Sequence, residues 1–263
     1  MSENLSTMEI LRWQLDAGVD ETIGDEPLNH FAPPPQPEAP TAVKTLQKQA
    51  PVPPPVQASA ENILHDACAI AASATTIEEL KAAVAGFDGC ALKKTATNLV
   101  FGDGNPRAKI VLIGEGPGAE EDRQGTPFVG PSGQLLDKML ASIGLDRDSV
   151  YISNTVFWRP PGNRTPTAGE TGLCLPFVER LMELIDPEIL ITLGGPAAKA
   201  MLAETAGIGR LRGKWYTYST PKLSRPVQAT ALFHPAYLLR SPDHKREAWH
   251  DLLMIRDKLD QIS

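Results

Sequence analysis

The sequence predicts an α/β fold: a central four-stranded parallel sheet with helices on both faces, preceded by a disordered proline-rich N-terminal tail. Three observations predict it. Four near-continuous apolar runs recur from residue 110 onward, at Ile110-Val111-Leu112-Ile113, Val150-Tyr151-Ile152, Ile189 to Leu193 and Val227 to Phe233. Segments with helical apolar spacing lie between them. Ten of the 24 prolines fall between Pro27 and Pro55. Strands covered on both faces read as continuous apolar runs, and their alternation with helices is the pattern of a parallel sheet.

The elements follow in chain order. Ser6 can cap a short amphipathic helix carrying Met8, Ile10, Leu11, Trp13 and Leu15. Two proline bursts follow, Pro33-Pro34-Pro35-Gln36-Pro37 and Pro51-Val52-Pro53-Pro54-Pro55. Proline fixes φ and lacks a donor, so this stretch joins no helix or sheet and reads as a semi-rigid tether. We therefore expect a tail over 1–58 and a folded domain over 59–263. The domain opens with helical spacing at Ile63, Leu64, Cys68 and Ile70, then at Ile77, Leu80, Ala83 and Val84. Leu135, Leu136, Met139, Leu140 and Ile143 mark a helix between the first two strands. Leu173, Phe177, Leu181 and Leu184 mark the next, with Thr167 and Glu170 spaced as a capping box. Ala197 to Leu202 follows the third strand, and Ser241-Pro242 announces a last helix through Trp249, Leu252 and Leu259.

Composition bounds the function. Hydrophobic residues make up 42% of the 263, enough for a core, while no uninterrupted apolar stretch or basic-then-apolar N-terminus marks a membrane span or secretory signal. Three scattered cysteines fit a reducing compartment, so the expected location is cytoplasmic. The net charge of −7 is uneven. Residues 1–61 hold nine acids against three bases, whereas Gly207 to Glu247 holds eight bases against two acids. That basic window suits phosphate contacts whatever the sign of the whole.

In open parallel sheets ligands bind beyond the carboxyl ends of the strands. After the first run stands Gly114-Glu115-Gly116-Pro117-Gly118; after the second, Ser153-Asn154; after the third, Gly194-Gly195-Pro196; after the fourth, His234-Pro235. The glycine-rich turn departs from a dinucleotide fingerprint, because its proline removes an amide that would face a pyrophosphate. Asn154 alone reads as a turn residue and His234 alone as a hydrogen-bonded structural histidine. Three such residues at three strand ends read instead as one site.

These residues belong to longer motifs. Gly114-Glu115-Gly116-Pro117-Gly118, Glu121 through Gly130, Asn154, Arg159-Pro160-Pro161-Gly162-Asn163-Arg164 and His234 through Arg240 together resemble the family 4 uracil-DNA glycosylases, in order and from about Phe87 to the C-terminus. The resemblance implies extrusion of uracil from DNA and hydrolysis of its N-glycosidic bond to leave an abasic site. It implies catalytic roles for Glu115, Asn154 and His234: His234 stabilising charge at uracil O2, and Glu115 serving the sugar cation or its water. It implies a base site of Gly116, Glu121, Phe128 and Asn154, with Phe128 as stacking platform, Asn154 reading the O4 and N3–H edge that excludes cytosine, and Glu121 blocking the thymine methyl. It implies DNA contacts from Ser132, Arg159, Asn163, Arg164, Leu238, Leu239 and Arg240, with the leucines entering the duplex and Ser132 at a helix N-terminus that accepts a phosphate.

The family also implies a four-cysteine iron–sulfur cluster. Cys90 and Cys174 match two ligand positions, but Phe87 and Trp158 stand at the others, and Cys68 reads as a buried helical residue. Two thiolates do not complete such a site, so neither a cluster nor another metal is expected. The expected partner is uracil-containing DNA, together with a protein partner for the proline-rich tail; the chain is expected to be a monomer that binds no membrane. Rival readings are a catalytically weak module of the same fold that binds DNA or a repair partner, and a glycosylase for another deaminated base.

Overall fold

The computed structural model describes Met8 and residues 56–262, without side chains for 56–60. The tail expected over 1–58, with its short helix after Ser6, lies outside the described residues apart from Met8 and its last three positions. Those three already belong to helix α1 (Val56–Ser73). Helix α2 (Ile77–Gly86) follows, with the Thr76 hydroxyl accepting from the Glu79 N–H at 3.1 Å as its cap.

Among the described residues the sheet has six strands and is mixed, which corrects the expectation of four. Strands β2 (Ile110–Gly114), β3 (Tyr151–Asn154), β4 (Ile189–Leu193) and β6 (Val227–Leu232) correspond to the four apolar runs. Two further strands, β1 (Asp103–Gly104) and β5 (Trp215–Tyr218), form the edges. The order is β1-β3-β2-β4-β6-β5. The three inner pairings are parallel and the two edge pairings antiparallel. Sequence pattern missed β1 because two residues carry no periodicity. It missed β5 because a half-exposed edge strand has no continuous apolar run, although Trp215-Tyr216-Thr217-Tyr218 is rich in strand formers.

Alternate strand residues serve opposite faces. Val111, Ile113, Leu190 and Ala229 pack with α1, α2 and α5 (Ala168–Ile185), while Ile110, Leu112, Ile189 and Ile191 pack with α4 (Pro131–Ala141) and α9 (Lys245–Ile262). The Thr167 and Glu170 capping box is formed as expected, and α5 ends where Asp186 turns left-handed before Pro187. Two expectations are corrected. Cys68 is exposed, because the buried seam of α1 is Ala67 and Ala71. Ser241-Pro242 opens a single turn, Pro242–His244, and α9 starts after it. The acid-rich stretch around Glu120 forms α3 (Ala119–Gln124), with Glu121 and Asp122 buried. Short helices α6 (Gly195–Leu202), α7 (Ile208–Leu211) and α8 (Pro235–Arg240) complete the fold. Among the described residues no helix is long and apolar enough to cross a membrane.

Candidate active site

A cleft of about 540 Å³ opens beyond the carboxyl ends of the inner strands. Glu115, Gly116, Glu121, Phe128, Asn154 and His234 line it together, so the strand-end residues meet in space. Of the expected DNA contacts, Ser132, Asn163, Arg164 and Arg240 also line it, while Arg159, Leu238 and Leu239 do not.

The end of β3 delivers Asn154 with its side-chain oxygen Oδ1 buried and without a hydrogen-bond partner in the protein. An unsatisfied buried acceptor costs about 1–3 kcal/mol, a cost that a donor arriving in the cleft would remove. Gly114, paired with Asn154 across the β2–β3 ladder, makes this arrangement fit. A Cβ at Gly114 would stand 2.4 Å from that oxygen and 2.7 Å from the Phe128 ring. The neighbouring Thr155 hydroxyl donates to the Glu115 carbonyl at 2.7 Å, tying the Glu115 turn to the end of β3.

His234 caps α8 with its own ring. Its Nδ1 accepts from the Ala236 N–H at 3.1 Å, so the ring proton of the neutral imidazole sits on Nε2. Burial, helped by the Arg240 charge, pushes its pKa down from 6.5 to about 4. The ring lies 5.6 Å from that of Phe128, with an angle of 29° between their planes.

Phe128 holds an uncommon backbone conformation, φ +54°. For a bulky residue this costs about 1–3 kcal/mol and persists only where the surroundings impose it. Helix α4 begins directly behind it, and a Cβ at Gly133 would lie 1.7 Å from the Phe128 carbonyl oxygen. The Glu121 carboxylate accepts from the N–H groups of Val129 at 3.0 Å and Gly130 at 2.9 Å.

The basic groups are less free than the sequence suggests. Arg164 makes a bidentate pair with Glu170 at 2.8 and 2.6 Å, which holds the Glu170 carboxyl down at about 2. Arg159 donates to Asn163 at 2.7 Å. Within the basic window, Arg212 turns inward onto the buried Asp251 at 2.7 and 2.8 Å and lies over the Phe233 ring, while Arg225 pairs with Asp186. The leucine pair splits as well. Leu238 is 1% exposed and packs in the core, whereas Leu239 is 45% exposed. Ile208 and Phe233 line the cleft without having been singled out from the sequence: Ile208 lies in a Gly-Ile-Gly stretch with no periodic signal, and Phe233 read as the end of an apolar run.

Away from the cleft, Cys90 and Cys174 are both fully buried and interact with each other, which lowers the Cys90 thiol and raises that of Cys174. The Phe87 ring packs on Phe177 at 5.2 Å, and Trp158 stands edge-on to Phe157 at 6.2 Å. Among the described residues no three His, Cys, Asp or Glu side chains gather as a metal site. Two buried thiols with no third Cys, His, Asp or Glu gathered beside them among the described residues do not fit a four-thiolate cluster.

Comparison with known proteins gives the same direction. Residues 101–253 match the model of the uracil DNA glycosylase superfamily. The chain is 42% identical to the type-4 uracil-DNA glycosylase of Archaeoglobus fulgidus, over 63% of this chain and 84% of that protein. It is 37% identical to the type-4 uracil-DNA glycosylase of Sulfurisphaera tokodaii, over 69% of this chain and 84% of that one. A type-5 uracil-DNA glycosylase of Thermus thermophilus is 34% identical over 40% of this chain and 54% of its own length. The chain belongs to the uracil DNA glycosylase superfamily, and within it to the type-4 family.

Proposed function

We propose that this protein is a DNA-repair enzyme that flips uracil out of DNA and hydrolyses its N-glycosidic bond. The observation that carries the reading is the convergence, in one cleft, of a buried unpartnered Asn154 oxygen and a neutral His234 ring protonated on Nε2. Uracil presents an N3–H donor beside its O4 acceptor. The Asn154 oxygen takes the first and its amide the second, whereas cytosine offers the reversed pattern and would leave buried groups unpaired. Phe128 supplies the stacking face. Glu121 contributes at the C5 side of the base, where thymine carries its methyl.

In the reaction the bond between C1′ and the base nitrogen breaks with its electron pair leaving on uracil, and water adds to C1′ and loses a proton. Negative charge develops on uracil O2. The Nε2–H of His234 donates to it, and because Nδ1 is already held by the Ala236 N–H the donor needs no reorientation as the charge appears. Glu115 faces the positive character on the sugar and orients the water. Leu239 fills the gap left in the stack, Leu238 being committed to the core, and Ser132, Arg159, Asn163, Arg164 and Arg240 serve the phosphates. We further infer that the enzyme works without an iron–sulfur cluster, because Phe87 and Trp158 stand at two of the ligand positions that the family resemblance implies.

The test is uracil release from labelled single- and double-stranded oligonucleotides, beside thymine and hypoxanthine substrates. Release of uracil alone is expected. A protein that binds these oligonucleotides without releasing any base would be a binding module, and preferential release of hypoxanthine would reassign the pocket.

A further inference from the structure

We propose that Arg147 is a positioning residue for base recognition, holding the Phe128 platform in its left-handed backbone conformation by gripping the two carbonyls on either side of that residue's N–H. The proposal rests on the reading that the cleft takes uracil. Arg147 lies more than a strand's length away in sequence from the motifs of the site and outside the residues that line the cleft. Its Nη1 donates to the Pro127 carbonyl at 3.2 Å, and its Nη2 donates to the Phe128 carbonyl. Two carboxylates aim the guanidinium: Nε donates to Asp137 of α4 at 2.9 Å, and Nη1 to Asp103 of β1 at 3.1 Å. A planar guanidinium with donors in a fixed fork can bridge two carbonyls and two carboxylates at once.

The chain around Phe128 is thereby held from both sides. Arg147 takes the carbonyls of 127 and 128, while Glu121 takes the N–H groups of 129 and 130. Phe128, at φ +54°, sits between the two grips. An extended or helical φ, which a phenylalanine prefers, would turn its carbonyl away from Arg147 and swing the ring off the cleft. Neither carboxylate partner touches the base site, so the clamp also joins β1 and α4 to the platform.

The experiment compares wild type, Arg147→Met and Arg147→Lys. One readout is amide hydrogen exchange over residues 128–130 against exchange in β2 and β4. The others are inhibition by free uracil and affinity for a duplex carrying a tetrahydrofuran abasic analogue, which contains no base to stack. In Arg147→Met, exchange over 128–130 is expected to rise at least about tenfold with β2 and β4 unchanged. Free uracil is expected to inhibit about tenfold less well, while the abasic duplex binds within about twofold of wild type. Arg147→Lys, with one point charge in place of a fork, should recover little. Faster exchange everywhere, or unchanged uracil inhibition, would overturn the proposal and leave Arg147 as a stabilising residue only. Should wild type release no uracil, the functional reading falls by itself, and local against global exchange still decides the clamp.

Discussion

The backbone N–H of Ala236 donates to Nδ1 of His234, and this contact within the first turn of α8 fixes where the imidazole keeps its proton. A neutral ring with its proton on Nε2 is a donor and needs no added charge to act as one. Because burial lowers its pKa to about 4, the folded protein binds fewer protons than the unfolded chain between that value and 6.5. Its contribution to stability is therefore whole above about pH 6.5 and is lost as the pH falls toward 4. Turnover should accordingly be level with respect to this group from about pH 6 to 8, with its acid limb near 4. A kcat profile on a uracil oligonucleotide checks this; an acid limb at the ordinary histidine value would mean that the ring is solvated. His234→Ala should lose about 10²–10³ in kcat, the usual cost of one charge-stabilising donor.

Asn154 yields a prediction about discrimination. Asn154→Ala removes the edge reader and should sharply lower uracil release at unchanged fold, read by circular dichroism. Asn154→Asp should lower it too and add cytosine release, since a carboxyl group that keeps its proton in this buried position presents cytosine with a donor and an acceptor. Release of cytosine from a labelled oligonucleotide by this variant and not by wild type is the expected result. Its absence would refute the edge-reading argument while leaving the assignment of His234 intact.

Leu238 and Leu239 are neighbours with opposite fates, and their alanine variants should separate stability from activity. Leu238→Ala empties a core position and should cost about 2–5 kcal/mol, read as a lowered melting temperature. Leu239→Ala should leave stability within about 0.5 kcal/mol of wild type. It should instead reduce release from double-stranded DNA more than from single-stranded DNA, where no gap has to be filled. Equal losses on the two substrates would remove Leu239 from the wedge role.

The contrast between those leucines shows what the sequence makes legible. Apolar runs at Ile110, Val150, Ile189 and Val227 fix β2, β3, β4 and β6 because burial on both faces leaves no other pattern, and the strand ends then point to Glu115, Asn154 and His234. Facing is decided by tertiary packing, so adjacent leucines in a six-residue helix are indistinguishable in sequence. Cys68 misled for the same reason, since alanines rather than larger residues form the buried seam of α1. Arg212 and Arg147 look like surface charges until Asp251 in one case, and Asp103 with Asp137 in the other, are brought to them from distant segments. Long-range ion pairs have no local spacing to read. Phe128 was legible as a platform only through its motif; nothing in the sequence announces its positive φ.

The last prediction concerns iron. Cys90 and Cys174 interact in a fully buried site, and Phe87 and Trp158 are buried in the same hydrophobic cluster. The purified protein should be colourless, without broad absorbance at about 400 nm, where thiolate-to-iron charge transfer falls, and without stoichiometric iron after anaerobic preparation. Cys90→Ser and Cys174→Ser should then act as packing changes of about 1 kcal/mol each, because they exchange one hydrogen-bonding group for another in a pair that holds no cofactor. The reverse substitution is the sharper arm. Phe87→Cys combined with Trp158→Cys restores four thiols at the positions the family uses, and anaerobic reconstitution of that variant should load iron where wild type loads none. Each ring removed also opens a cavity, so the variant should be less stable than wild type before reconstitution and regain part of the loss when loaded. About four irons per wild-type chain, lost on Cys90→Ser, would show that non-cysteine ligands complete a cluster and that the aromatic packing at Phe87 and Trp158 is not a substitute for it.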